Sequence, residues 1–452
     1  MISPLDSRVL DANSESLGVE VDVLMANAGE ALADVITDLY GGKRILFVCG
    51  TGNNGGDGYV AARLLESDVA FFKKPKTAPS MNAFRKLDNR PMQFDSKMLA
   101  DYDVIIDCVL GTGVSGEVRE PYAEYIRAVN ASDKTVLSCD VPSGFGTDLV
   151  VRPDVTVTFH DVKEGMDEKN CGSIIIADIG IPTEAYDFIG RGDMIRYPVP
   201  GKDAHKGQNG RLLIIGGGPY TGAPSLAGMA ALRVGVDLVH IATPETAFQT
   251  VASASPSYIV HRLIGDHLDV RSVGKLIDMS KGMDAVLIGP GLGNDEETRR
   301  AIVGFVEECE RPMVVDADGV TSFRGDIPKK NIIFTPHRGE YEKLARGSEP
   351  EEFASRNECI IVLKGSTDTI TDGTRTRRNR TGTPAMTVGG TGDVLAGTIA
   401  GLLAKGMTPF DAGCLGTYLC GRAGEKSFEE FSYGLLATDI IDNIARVLRE
   451  EL

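Results

Sequence analysis

The sequence contains no tryptophan, only six histidines, and eight cysteines among 452 residues. The cysteines are scattered without a Cys-x-x-Cys pair, which argues against a disulfide framework or a zinc site. Cys49, Cys108 and Cys139 each close an apolar run, as buried reduced thiols do. No apolar run approaches the roughly 20 residues that a membrane-spanning helix needs. The opening MISPLDSRVLDANSES has neither the basic start nor the apolar block of a secretory leader, so a reduced cytoplasmic setting is expected. A basic surface is missing as well. With 64 acidic and 47 basic residues the net charge is −17, which argues against non-specific binding to nucleic acid or an anionic membrane. A local pocket for a nucleotide remains compatible with that charge.

What is present is an ordinary globular composition, 42% hydrophobic and 25% charged, in a chain too long for one compact core. Val21, Leu24, Met25, Ala28 and Leu32 share a helical face. Short apolar runs then alternate with helical stretches. RILFVCG, DVAFFKK, DVIIDCVLG, TVLSCDVPSG, DVTVTF and SIIIADIGIP read as buried parallel strands. A Gly-, Pro- and charge-rich stretch near Pro198 marks the expected boundary between a domain at 1–198 and one at 199–452. RLLIIGGG, AVLIGPGLG, MVVDADGV, NIIFTPH and CIIVLKG start the same alternation again. Two α/β domains follow, each a layered α/β/α sandwich.

The stretch FVCGTGNNGGDGYVAARLL holds a Gly-x-Gly-x-x-Gly spacing, a weak sign of a dinucleotide fold by itself. The acidic residue that a nicotinamide dehydrogenase wants about 20 positions on is replaced by Lys73 and Lys74. Asn53, Asn54 and Asp57 are read as lying in the glycine turn ahead of a helix, where N–H groups and polar side chains meet a phosphate. Asp107, followed by Gly111-Thr112-Gly113, and Asp140, followed by Ser143-Gly144, end two further strands. In a parallel sheet all three ends lie on one edge. Oxygens of Asn54, Asp107 and Ser143 suit a hard cation there, and the lack of a His/Cys cluster disfavours a soft one.

These segments, with LMANAGEALADVI and TVTFHDVKEGM, resemble the N-terminal domain of the NAD(P)HX epimerases. That family interconverts the R and S forms of NADH and NADPH hydrated at carbon 6 of the nicotinamide ring. The resemblance implies a Rossmann-like fold. It implies that Asn53, Asn54, Gly55, Gly56 and Asp57 bind the hydrated dinucleotide together with Gly111, Thr112, Gly113, Val114, Ser115, Gly116 and Glu117. It makes Asp140 a substrate contact and the acid/base candidate, places Lys163 at the ring, and gives Asn54, Asp107 and Ser143 a potassium ion. A solvated surface position is the alternative for Lys163.

In the second half, Gly389-Gly-Thr-Gly392-Asp393 precedes a helix whose N–H groups can stabilise a transferring phosphoryl group, with Asp393 placed to take a hydroxyl proton. No Gly-Lys-Ser/Thr follows, so this is no Walker loop. Lys364 and Gly365 end a strand, and His337 lies between a strand and a helix. Ala223 and Ala227, on a helix with Pro224 in its first turn, suit close packing on a flat ligand. Arg375, Arg377, Arg378 and Arg380 read as a solvated hairpin tip. HKGQNGRLLIIGGGPYTGAPSLAGMAALR, IGPGLG, PHRGE and GGTGDVLAG are similar, in this order, to the ADP-dependent NAD(P)HX dehydratases of ribokinase-like fold. The resemblance implies that Ala223, Gly293, His337 and Asp393 contact the hydrated dinucleotide. Lys364, Gly365, Ser366, Thr367, Asp368 and Gly392 would hold ADP with Mg2+.

The joint expectation is a bifunctional repair enzyme acting on NADHX, NADPHX and ADP, without nucleic-acid or membrane partners and as a homo-oligomer. The alternative is a small-molecule kinase fused to a dinucleotide-binding or scaffold domain, which predicts ATP use and a stable phosphorylated product.

Overall fold

The computed structural model describes residues 1–114, 116–325, 327–328 and 331–452. The chain divides into two units, Met1–Ala185 and Tyr186–Leu452. Residues 186–196, expected in the first domain, pack with the second unit. Phe188 pairs with Arg378 across an isolated parallel bridge, and Ile189 N–H donates to the Arg378 carbonyl at 2.8 Å. Asp193, with a side chain 1% exposed, receives the Arg377 guanidinium at 3.2 Å. Arg196 of the same stretch lies 3.6 Å from Asp411.

The first unit is a seven-stranded parallel sheet built from β1 (Ile45–Cys49), β2 (Asp68–Phe71), β3 (Met92–Gln93), β4 (Val104–Cys108), β5 (Thr135–Cys139), β6 (Val155–Phe159) and β7 (Ser173–Ala177). Its order is β3-β2-β1-β4-β5-β6-β7. β1 is apolar on both faces because apolar clusters cover both, whereas β4, β5 and β6 bury Asp107, Ser138, Thr156 and Thr158 among their apolar residues. The order reverses direction between β1 and β4, and the crevice outside their C-terminal ends is where such sheets bind ligands.

Three helices shape that crevice: α1 (Pro4–Ser16), α2 (Val21–Tyr40) and α3 (Asn53–Leu64). Helix α1 lies ahead of the first helical spacing in the sequence, and Ser3 and Asp6 form a reciprocal capping box at its start, with Pro in the first turn. Helix α3 begins at Asn53, so Asn54, Gly55, Gly56 and Asp57 are helical rather than part of the turn. Their glycines serve packing. A Cβ on Gly55 would stand 2.4 Å from the Gly50 carbonyl oxygen, and one on Gly58 2.7 Å from Cys108. Glycine in a helix costs about 0.5–1 kcal/mol; here it lets the helix start lie directly on the sheet edge.

The second unit is a nine-stranded sheet. Its strands are β8 (Arg211–Ile215), β9 (Leu238–Thr243), β10 (Tyr258–Arg262), β11 (Ala285–Ile288), β12 (Met313–Val315), β13 (Ile332–Phe334), β14 (Ile360–Leu363), β15 (Asp368–Thr371) and β16 (Thr376–Asn379). The order is β10-β9-β8-β11-β12-β13-β14-β15-β16; the β14–β15 and β15–β16 pairs are antiparallel and the other pairs parallel. The core helix Thr391–Ala404 is buried from Val394 onward. It packs on the helix Ala223–Arg233, where a Cβ on Gly397 would stand 2.1 Å from the Ala227 carbonyl oxygen. Ala227 therefore serves helix–helix contact, not a flat ligand.

In the arginine run Arg375, Arg378 and Arg380 are exposed, as a solvated hairpin tip requires, while Arg377 is drawn inward. Arg377 Nη2 donates to the Phe188 carbonyl at 2.6 Å, and Arg380 lies 4.6 Å over the Phe188 ring. Arg375 lies 4.2 Å over Phe410 and pairs with Asp372 at 2.8 Å. Arg377 and Arg380 hold the 186–196 segment through Phe188 and Asp193, and Arg375 does not touch it.

Candidate active sites

In the first unit a cavity of about 500 Å³ opens at the β1/β4 switch, within the range of ligand pockets. Asn53, Asn54, Asp57, Gly111, Thr112, Gly113, Val114, Asp140 and Lys163 all line it, with Asp11 of α1 and His160. Gly55 and Gly56 are buried but do not line it, and Gly116 and Glu117 lie exposed away from its wall. Ser115 lies outside the described residues.

Asp140 ends β5 with φ +61°, and His160 ends β6 with φ +73°. For residues other than glycine this left-handed conformation is strained, and such strain collects at functional sites. It presents the Asp140 carboxylate to Lys163 Nζ, with which it forms an ion pair. Lys163 Nζ also donates to Thr158 Oγ1 at 2.9 Å and to the Phe159 carbonyl at 2.8 Å. Its side chain is 2% exposed, which removes the solvated-surface alternative. Two further carboxyls face this pair. Burial first, and then the Asp140 charge, pushes Asp11 up to about 6, while Lys163 pulls it down. Burial pushes Asp57 well above the ordinary carboxylate range, assisted by Asp140 and Asp11 and opposed by Lys163. One buried ammonium among three carboxyls keeps protons on the cavity wall near neutral pH.

Beneath the cavity, Asp107 is fully buried and accepts from Ser143 Oγ (2.6 Å), Ser143 N–H (2.8 Å), Ser138 Oγ (2.9 Å) and Tyr125 Oη (3.0 Å). Burial raises its carboxyl, and the hydrogen bonds from Ser143, Ser138 and Tyr125 oppose the rise. Asn54 contrasts with it: both ends of its buried amide lack a partner. A buried polar group left unpaired costs about 1–3 kcal/mol, so an amide oriented into a cavity points to a ligand. The set of Asn54, Asp107 and Ser143 offers only oxygen acceptors toward a cation and fits potassium chemistry. A cation there would share Asp107 with Ser143.

In the second unit the expected residues gather at the C-terminal edge of the parallel strands. Gly390 enters the helix Thr391–Ala404 with φ +97°, and Asp393 sits in its first turn. Lys364 follows β14, and its Nζ lies 3.5 Å from where a Cβ on Gly392 would stand. Lys364 forms a parallel bridge with His337, which caps the helix Arg338–Ala345 by accepting at Nδ1 from Glu340 N–H (3.2 Å). Gly293 N–H donates to Asp318 Oδ2 at 2.8 Å. Ala223 begins its helix beside the Gly291 turn. Gly365, Ser366 and Thr367 form an exposed loop. Asp368 closes it by accepting from Gly365 N–H (3.0 Å) and Asn379 Nδ2 (3.1 Å), so its carboxylate shapes the loop. Burial raises the Asp393 carboxyl to about 7, reinforced by Asp316, offset by Lys364 and reinforced again by Asp318.

Sequence reasoning passed over Asp11, Asp316 and Asp318. The Ser3-Pro4-Leu5-Asp6 capping signal would have placed Asp11 on a helix. Asp316 and Asp318 were visible at the end of MVVDADGV but carried no ligand pattern of their own.

A switch-point cavity and a glycine turn bearing an acid, each on its own parallel-rich sheet, define a dinucleotide-type unit and a kinase-like unit in one chain. A family model described as YjeF-related protein N-terminus matches residues 21–165, and one described as NAD(P)H-hydrate dehydratase matches residues 212–446. The bifunctional NAD(P)H-hydrate repair enzyme of Archaeoglobus fulgidus is 39% identical across 99% of this chain and 98% of its own. The chain belongs to the family of bifunctional NAD(P)H-hydrate repair enzymes. Among solved structures, an ADP/ATP-dependent NAD(P)H-hydrate dehydratase from Bacillus subtilis, co-crystallised with ATP and Mg2+, is 28% identical over 59% of this chain and 99% of its own, with a TM-score of 0.53. A ribokinase-like superfamily protein from Enterococcus faecalis, 24% identical over 59% of this chain and 96% of its own with a TM-score of 0.52, shares the fold.

Proposed function

We infer that this protein restores hydrated NADH and NADPH in two steps: its first unit interconverts the R and S hydrates, and its second dehydrates the S form at the expense of ADP. The observation that carries this reading is the pairing, in one chain, of the ion-paired Asp140 in a cavity of about 500 Å³ with Asp393, raised to about 7, at a glycine-led helix start.

One route to epimerisation has the carbon-6 hydroxyl leave as water and return on the other face, with the ring nitrogen assisting departure. Asp140 is placed to give and take the proton, and Lys163 holds it toward the ring. Asn53, Asn54, Asp57 and the loop at Gly111–Val114 bind the dinucleotide. Asn54, Asp107 and Ser143 would hold potassium, which supplies a fixed positive charge beside the loop. Thermal melting tests that site independently of activity. Potassium chloride should raise the melting temperature more than sodium chloride does. Asn54→Ala should abolish the difference while stabilising the potassium-free chain, because two unpaired buried atoms disappear.

In the second unit Asp393 accepts the proton of the carbon-6 hydroxyl while that oxygen takes the terminal phosphoryl group of ADP, leaving AMP. Phosphate then departs with the electron pair of the C–O bond, carbon 5 loses a proton, and the ring double bond re-forms. A hydroxyl is a poor leaving group and a phosphate a good one. Ala223, Gly293 and His337 border the dinucleotide, and Lys364 to Asp368 with Gly392 border the nucleotide. Asp316, Asp318 and Asp393 put carboxylate oxygens beside the Lys364 ammonium at this edge, hard donors compatible with Mg2+ carried on nucleotide phosphates, where it would neutralise charge. Among the described residues no helix is long and apolar enough to cross a membrane; a cytoplasmic homo-oligomer is the setting we propose, and light scattering reports its mass.

The experiment is recovery of reduced-nicotinamide absorbance from a mixture of R and S hydrates with Mg2+ and K+, supplying ADP, ATP or neither. Near-complete, nucleotide-dependent recovery is expected. Recovery that halts at the S fraction removes the first activity, and no recovery removes the second.

A further inference from the structure

Three adjacent strands, β12, β13 and β14, deliver Asp316, Thr335 and Lys364 one after another to the same sheet edge. Asp316 is 2% exposed, and its Oδ1 accepts from Thr335 Oγ1 at 2.7 Å and from Lys364 Nζ at 3.1 Å. The same ammonium lies 3.5 Å from a Cβ built on Gly392, one residue before Asp393. The lysine thus spans from a buried carboxylate to the start of the Thr391–Ala404 helix. We propose that Asp316 is a positioning residue for phosphoryl transfer: its carboxylate, fixed by Thr335, holds the Lys364 ammonium at that helix start and supplies the negative charge against which Asp393 works.

The proposal rests on the roles given above to Asp393 and Lys364. A lysine side chain has four rotatable bonds, and a buried, oriented partner removes most of that freedom before the nucleotide arrives. The electrostatics agree. Burial works to lower the Lys364 ammonium, but Asp316 and Glu340 outweigh it, aided by the Asp316 hydrogen bond and Asp393, and the net shift is upward. The charged groups around Asp393 are Asp316, Lys364 and Asp318, with Glu340 acting on Lys364 from its own helix. Removing the Asp316 charge takes away the largest negative charge raising Asp393 and frees more of the Lys364 charge to lower it. Both changes lower the Asp393 value, so the acid limb of dehydration moves to lower pH.

The test uses the full chain with the S hydrate, Mg2+ and ADP. Asp316→Asn is expected to raise KM for ADP by about tenfold, as loss of an oriented charged contact does, and to move the acid limb of kcat down by at least about half a pH unit. Unchanged KM together with an unmoved limb overturns the proposal, as does a fall in kcat alone. If that variant does not fold, Asp316→Asn/Lys364→Met removes both charges at once and is compared with Lys364→Met. Equal KM values support action through the lysine; a further, additive rise overturns it. Near-normal dehydration by Asp393→Asn defeats the functional reading instead. Loss of activity there, with both Asp316→Asn readouts unmoved, defeats only the positioning role.

Discussion

Asp393→Asn is expected to lower dehydration of the S hydrate by about 10²–10⁴-fold, the usual loss when a general base is removed. A base is most useful when its pKa lies near the working pH, and burial brings the Asp393 carboxyl up to about 7. The wild-type kcat should therefore climb as pH passes through about 7 and level above it, and the Asn variant should lack that limb. KM for ADP should change little, because Lys364 and the 365–368 loop hold the nucleotide in this reading. Stability gives a second readout with a definite sign. The folded state binds the Asp393 proton more tightly than the unfolded chain, whose value is near 3.8. The wild type therefore loses stability as pH rises from about 4 through about 7, and the amide does not. Asp393→Asn should be more stable than wild type at pH 8 and closely matched at pH 3. Near-normal dehydration by the variant would remove Asp393 from its role.

Much of this site is legible because parallel sheets place strand ends on one edge. The apolar runs ending at Gly50, Asp107, Asp140 and Lys364 could be aligned without knowing the fold. What escaped reading was decided by tertiary packing. NNGGDG carries turn composition, yet it is helical because its glycines meet the Gly50 backbone and Cys108. Strands β9 and β10 carry His240 and His261, whose rings meet at 2.9 Å across the pair, and an interior histidine breaks an apolar run. Arg377 reads as surface until Asp193, 184 residues away, supplies its partner. Asp11 was hidden for the same reason, since its consequence depends on Asp140 and Lys163, which are remote in sequence.

Asp140→Asn should reduce epimerisation by about 10²–10⁴-fold and leave dehydration of the S hydrate unaffected. In the mixed-hydrate assay, recovery would then halt at the S fraction. The amide keeps the volume of the side chain, and Lys163 retains Thr158 Oγ1 at 2.9 Å and the Phe159 carbonyl at 2.8 Å, so the cavity wall should persist. The electrostatic consequences separate this variant from Lys163→Met. Asp140 raises Asp11, which stands at about 6, and Lys163 lowers it. Asp140→Asn should therefore bring the Asp11 titration down, and Lys163→Met should drive it up, each followed by carboxyl-selective NMR. Lys163→Met also removes the buried ammonium that Asp140 pairs with in a cavity walled by Asp11 and Asp57. Its epimerisation should fall together with affinity for the anionic dinucleotide, whereas Asp140→Asn should bind at least as well as wild type. If Asp140→Asn epimerises normally, the proton on carbon-6 oxygen is handled elsewhere on this wall, and Asp57, the most strongly raised carboxyl facing it, becomes the group to replace next.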